Sequence, residues 1–155
     1  MSQTAVVTFR AAKETEYAGF LDLIHQHAAD YLEPSLTLLG LDKTEFAHLF
    51  RTRGQVVSIL ADRAVAGFYW IEERDGTLHI HGLVIKPEFQ KRGLAAAALA
   101  HLETGASPDV ARFELGVHRA NGRARKIYER AGYRVTRALP DFDFSIMHKD
   151  RPAQS

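Results

Sequence analysis

The sequence predicts an α/β fold with a mixed, mostly antiparallel sheet flanked by about four helices. Three observations carry that prediction. Short apolar runs in the first half are separated by Asp62-Arg63 and Asp75-Gly76, which suit two-residue hairpins. At the centre, a strand-like run (Leu78 to Ile85), a helical run and a second strand-like run (Phe113 to Val117) form a β-α-β unit. A final pair of strands surrounds Pro140-Asp141.

Each element has a local reason. Ala5 to Phe9 is a short apolar strand. Tyr17, Phe20, Leu21, Ile24, Ala28 and Tyr31 recur at helical spacing, so Glu14 to Ala29 reads as an amphipathic helix. Pro34 and the leucine-rich stretch to Gly40 break it. Asp42 followed by Glu45 has the spacing of a capping box ahead of Phe46, Leu49 and Phe50, which predicts a second short helix. Val56 to Leu60, Ala64 to Glu73 and Leu78 to Ile85 are successive strands. Pro87 ends the last of these. Leu94 to Thr104 is an alanine-rich helix closed by Gly105 and Pro108. Arg123 to Ala131 is a further helix, with Gly132 placed as its left-handed terminator. Val135 to Leu139 and Phe142 to Met147 complete the order β α α β β β α β α β β. The reading is one domain over residues 1–149 and a loose tail from Asp150 to Ser155.

Composition narrows the function. A chain of 155 residues with 46% hydrophobic and 25% charged residues is that of an ordinary soluble globule. A net charge of +1 gives no footprint for nucleic-acid binding. The chain has no cysteine, which excludes disulfides, cysteine-based zinc sites and an acyl-cysteine intermediate. No basic segment followed by an apolar core opens the chain, and no apolar run is long enough to span a membrane. A cytoplasmic protein without membrane partners is expected.

The most informative stretch is Gln90-Lys91-Arg92-Gly93-Leu94-Ala95. It follows a strand and opens a helix, so successive backbone N–H groups and the positive end of a helix dipole converge on one spot. Gly93 removes a side chain where phosphates would approach, and Lys91 and Arg92 add positive charge. The stretch reads as a cradle for a pyrophosphate. Neither a P-loop nor a Gly-x-Gly-x-x-Gly fingerprint accompanies it.

This order of strand, Pro87, Phe89, Gln-x-x-Gly-x-Ala and helix resembles the acyl-CoA signature of the GNAT superfamily of N-acetyltransferases. A second block, from Asn121 through Ala124, Ile127, Tyr128, Glu129, Arg130 and Gly132 to Tyr133, is similar to the later segment of that family. It begins 31 residues after Gln90. The resemblance covers about Leu78 to Tyr133. It implies a splayed sheet, with acetyl-CoA as acyl donor and a primary amine as acceptor, acylated by direct attack in a ternary complex. The pantetheine arm would pair with Leu83, Val84 and Ile85, and the phosphates would lie over Gln90, Lys91, Arg92, Gly93, Leu94, Ala95 and Ala96. An N–H at Ile85 would be the oxyanion donor.

Acyl transfer to an amine needs a base and an acid. His79 and His81 are two apart on a strand and so share a face. An imidazole accepts a proton at neutral pH, and the pair resembles that of the arylalkylamine N-acetyltransferases. His81, nearer the reacting end, is slightly preferred. The bland alternative is one core histidine and one solvated histidine. Many family members carry a glutamate in this strand, and here the strand has no acidic residue. Tyr128 is either a core ring or, by the resemblance, the acid. A phenol of pKa about 10 can protonate a thiolate whose parent thiol is near 8.5. Asn121 either caps a helix or also contacts the cofactor arm. Metal use is not expected, because His118 and Glu114, on the next-but-one element, show no tight ligand cluster with the His-x-His pair.

Acceptor contacts are expected from Tyr31, Tyr69, Asp141 and Phe142, with Glu33, Trp70, Asp143 and Phe144 nearby. Acidic and aromatic groups suit a cationic amine with an apolar body. A small molecule is favoured. A protein N-terminus or lysine is an alternative acceptor, and a non-catalytic acyl-CoA-binding module an alternative role. A homodimer is compatible with the resemblance.

Overall fold

The computed structural model describes residues 6–152. Strand β1 (Val7–Ala11) leads through a 3₁₀ turn (Glu14–Glu16) into α1 (Tyr17–His27), α2 (Leu32–Leu39) and α3 (Lys43–Thr52). The hairpin-linked β2 (Gln55–Ala61), β3 (Ala64–Arg74) and β4 (Thr77–Ile85) follow, then α4 (Leu94–Thr104), β5 (Arg112–His118), α5 (Gly122–Arg130), β6 (Arg134–Leu139) and β7 (Phe144–Asp150). The seven strands are ordered β1-β2-β3-β4-β5-β7-β6. β4 and β5 are parallel, while β1 with β2, β5 with β7, and β6 with β7 are antiparallel. The mixed α/β architecture is the one the sequence predicts. Among the described residues no helix is long and apolar enough to cross a membrane.

The turns explain the hairpins. Asp62 and Arg63 have φ of 49° and 76°, and Asp75 and Gly76 have 53° and 78°. Left-handed values at both central residues match the natural twist of paired strands. Asp42 and Glu45 form the expected reciprocal cap of α3, with Glu45 N–H donating to Asp42 and Asp42 N–H to Glu45.

Three expectations need correction. Among the described residues there are five α-helices, because Pro34 does not break the chain but sits in the first turn of α2. A proline there removes no helical hydrogen bond, since the first-turn N–H groups have no partner within the helix. The break falls earlier, after His27, and Gly40 (φ 73°) ends α2 instead. At the other end, Asp150 belongs to β7 rather than to a tail. Arg151 is also held, donating through its guanidinium to the carbonyls of Ala106, Ser107 and Val110. The last strand starts later than expected, because Pro140–Phe142 forms a 3₁₀ turn and Asp143 takes φ 56°.

The described residues form two compact units: those up to Trp70 with Gly82–Leu94, and Ile71–His81 with those from Ala95 onward. In the first, Phe20, Phe50, Phe68, Trp70 and Val84 share a core. Phe50 meets Trp70 edge-on at 5.1 Å, and the Trp70 indole donates to the Arg53 carbonyl at 2.6 Å. At Gly67 a Cβ would lie 2.1 Å from the Val84 carbonyl oxygen, so only glycine lets β3 and β4 approach this closely. In the second unit Leu99, Leu102, Phe113, Leu115, Tyr133 and Met147 are buried. Glu103 on α4 accepts from the Tyr133 hydroxyl at 2.9 Å and from Lys149 of β7 at 2.7 Å.

A carboxylate also organises the first unit. Glu16 accepts from both terminal nitrogens of Arg10 (2.7 and 2.8 Å), from the Lys13 N–H and from the fully buried Ser58 hydroxyl. Those donors, Arg10 foremost, hold its carboxyl down to about 2 against the opposing effect of burial. A folded-state value below the unfolded one stabilises the protein above about pH 4.5 and is lost as pH falls toward 2. Glu16→Gln is therefore expected to cost about 2 kcal/mol at pH 7. Urea unfolding of both proteins should show the gap narrowing steadily below pH 4.5.

Candidate active site

β4 carries the histidine pair. Residues alternate across a strand, so His79 and His81 project to one side, where their rings stack at 6.2 Å with an interplanar angle of 9°. Neighbouring strands provide the acids that β4 lacks. His79 Nδ1 lies 2.9 Å from Glu114 Oε1 on β5, and His81 Nε2 lies 2.8 Å from Glu72 Oε1 on β3. Glu114 also meets His148 Nε2 of β7 at 2.7 Å through its second oxygen. Burial would raise the Glu114 carboxyl, but hydrogen bonds from His148 and His79 outweigh it and the net shift is downward.

Register accounts for these meetings. The parallel ladder pairs His79 with Glu114, and the antiparallel ladder pairs Glu114 with His148. The ladder between β4 and β5 runs from Thr77↔Arg112 to Ile80↔Leu115. Leu83, Val84 and Ile85 lie beyond its last pair. Among the described residues no group of three or more His, Cys, Asp and Glu side chains is arranged to hold a metal ion.

The cradle begins with a 3₁₀ turn at Pro87–Phe89 and reaches α4 through two left-handed residues, Lys91 (φ 65°) and Gly93 (φ 76°). Such turns aim consecutive N–H groups into a concavity. The first N–H groups of α4 have no acceptor within the helix. A Cβ built on Gly93 meets nothing within 4 Å, so its requirement is conformational and the space before it is open. Lys91, Arg92 and Gly93 are exposed, Ala96 is also exposed, and Leu94 is buried with Ala61 and Ala66. Arg92 lies over the Phe89 ring at 5.6 Å. Gln90 ties the turn to the strand end, its amide donating to the Ile85 carbonyl at 3.1 Å. These residues fit a pyrophosphate: a left-handed cradle at a helix N-terminus, flanked by exposed cations and open in front.

Tyr128 is buried on α5, with its ring 6.2 Å from that of Tyr133. Asn121 caps α5, accepting from the Ala124 N–H at 3.3 Å. Of the expected acceptor residues, Tyr31 is half-buried ahead of α2 and Tyr69 is buried in the first unit. Desolvation raises both hydroxyls, Tyr69 to about 12. Trp70 is a core residue, and Glu33 pairs with Lys43. Asp141 and Phe142 sit in the turn before β7. A cavity of about 270 Å³ opens in the second unit, lined by His118, Arg119, Arg125, Asp143 and Phe144 among others. Asp141 and Phe142 are not among its lining residues. Glu72 and His148 were missed from sequence, and Glu114 was weighed there only as a metal ligand, not as the partner of His79. Alternation could place Glu114 on the polar face of its strand, but only register reveals its partners.

The description "Acetyltransferase (GNAT) family" matches residues 11–133. The mycothiol acetyltransferase of Clavibacter michiganensis is 29% identical over 114 residues, which cover 73% of this chain. The chain spans only 31% of that relative's length. The structure superposes on the PaiA N-acetyltransferase of Thermoplasma acidophilum, solved with coenzyme A, at a TM-score of 0.72 and 17% identity, covering 94% of this chain and 99% of the other. For Ard1 of Thermoplasma volcanium the TM-score is 0.77 at 14% identity, with 95% and 99% covered.

The cradle's backbone makes opposite predictions at neighbouring positions. Lys91→Gly relieves a left-handed side chain and is expected to stabilise by about 0.5–1 kcal/mol. Gly93→Ala imposes the same strain and is expected to destabilise by about 1 kcal/mol. Thermal unfolding of the two variants should move the midpoint in opposite directions.

Proposed function

The chain belongs to the GNAT acetyltransferase family, and from that premise we propose that it is an acetyl-CoA-dependent N-acetyltransferase acting on a primary amine. The observation that carries this reading is the cradle, with left-handed Lys91 and Gly93 at the N-terminus of α4. In this reading the pyrophosphate is held by the backbone from Gln90 to Ala96, with Lys91 and Arg92 adding charge, and the pantetheine amides pair with Leu83–Ile85, beyond the last ladder pair with β5. Acetyl-CoA supplies the activated acyl group.

The chain's own residues move the protons. An imidazole of the His79/His81 pair takes a proton from the acceptor ammonium and leaves a nucleophilic amine. The Tyr128 hydroxyl gives its proton to the departing sulfur and is restored by the proton that the attacking nitrogen sheds as it becomes the amide, and Asn121 fixes the start of the helix that carries Tyr128. A small-molecule acceptor is favoured, because the curated relative is named for mycothiol rather than for a protein. The cavity beside His118, Asp143 and Phe144 adds a polar and aromatic lining of the kind a compact amine would meet.

Assays against arylalkylamines, polyamines and peptide N-termini should show acetyl transfer to at least one class. Tyr128→Phe is expected to lower kcat about 100-fold while sparing acetyl-CoA binding. Transfer to none of the amines contradicts the proposal. Lost acetyl-CoA affinity in a folded Tyr128→Phe protein contradicts the role given to Tyr128.

A further inference from the structure

The histidine pair is anchored by a hydrogen-bonded chain that continues past it. Glu114 receives His79 on one oxygen (2.9 Å) and His148 on the other (2.7 Å). His148 reaches through Nδ1 to the Thr136 hydroxyl on β6, which also contacts the Ile146 carbonyl at 3.4 Å. Thus β4, β5, β7 and β6 each contribute one side chain, and all four lie in the second unit. Three of the four members are shielded, with side-chain exposures of 17% for His79, 28% for Glu114 and 16% for His148.

The chemistry of the contacts orders the protons. An ionised carboxylate only accepts. Glu114 must therefore face an N–H on both sides, Nδ1–H of His79 and Nε2–H of His148. A neutral His79 with its proton on Nδ1 bears its lone pair on Nε2. His81 is placed differently. Its carboxylate, Glu72, receives His81 on the same oxygen that lies 3.9 Å from Arg74, so a fixed cation competes for that charge. The charged and titratable groups facing His79 are thus Glu114 and His81, with His148 behind Glu114 and the Glu72–Arg74 pair behind His81.

We infer that Glu114, held as a carboxylate by His148, is the positioning residue that fixes His79 as the Nδ1–H tautomer, so that His79 Nε2 is the base of the pair. The inference rests on the acetyltransferase reading for its catalytic meaning and on geometry alone for its tautomer. In the reaction Nε2 takes one proton from the acceptor ammonium. The resulting imidazolium keeps its Nδ1–H on Glu114, whose charge offsets the new cation. After product leaves, Nε2 returns that proton to solvent. No proton needs to cross Glu114, and His148 and Thr136 serve to hold it in place.

The test combines long-range ¹H–¹⁵N spectra of the histidine rings with steady-state kinetics on the whole chain. Wild type should show His79 as the Nδ1–H tautomer. Glu114→Ala should shift it toward the Nε2–H form usual in water and lower kcat about 10- to 100-fold, with KM for acetyl-CoA unchanged. Glu114→Gln keeps the shape without the charge and should fall between the two. His148→Gln retains an N–H donor for Glu114 and should keep most of the activity, whereas His148→Phe should lose several-fold. A His79 tautomer that is Nε2–H in wild type, or unchanged in Glu114→Ala, overturns the inference, as does wild-type kcat in both Glu114 variants. Wild type that is Nδ1–H at His79 yet transfers acetyl to no amine supports the anchor and contradicts the acetyltransferase reading instead.

Discussion

The parallel pairing of β4 with β5 is the constraint on which the candidate site depends. A parallel neighbour cannot be reached through a two-residue turn. The chain must leave the carboxyl end of β4, cross over and return. α4 is that crossover, so its N-terminus necessarily begins just past the end of β4, and the short link between them becomes the cradle. The same pairing fixes the register that sets His79 opposite Glu114. One topological choice therefore produces both the proposed anion-binding turn and the carboxylate partner of the proposed base.

A common device secures each region. Glu16, Glu103 and Glu114 each take two side-chain donors from separate elements: Arg10 and Ser58, Tyr133 and Lys149, His79 and His148. Burying a carboxylate is unfavourable unless its lone pairs are satisfied. Two donors meet that need and at the same time lock the elements that carry them. At Glu16 and Glu103 the result is structural. At Glu114 the locked side chain is an imidazole with a second nitrogen still to use, and this separates a chemical role from a purely structural one.

Much of this was legible in the sequence because it depends on neighbours along the chain. The hairpins at Asp62-Arg63 and Asp75-Gly76, the Asp42/Glu45 cap, the Gly132 terminator and the Gln90–Gly93 turn are all set within a few residues. Pro34 was misread because a proline's effect depends on its position within the turn, and the α2 boundary was invisible from periodicity. Glu72 and His148 escaped, and Glu114 was weighed only as a metal ligand, because their meaning lies in cross-strand register. Across a separation of 34 residues, Glu114 and His148 carry no local signal that the two touch. Tyr69 and Trp70, adjacent on β3 and so on opposite faces, are both buried, which aromatic character alone does not foretell.

The central claim is that the Gln90–Gly93 turn exists to hold the pyrophosphate of an acyl-CoA. Calorimetric titration of the purified chain with acetyl-CoA, with ATP and NAD as controls, tests it most directly. The account predicts selective binding in the micromolar range with little or no response to either control. A folded protein that ignores acetyl-CoA, or binds all three alike, would contradict it.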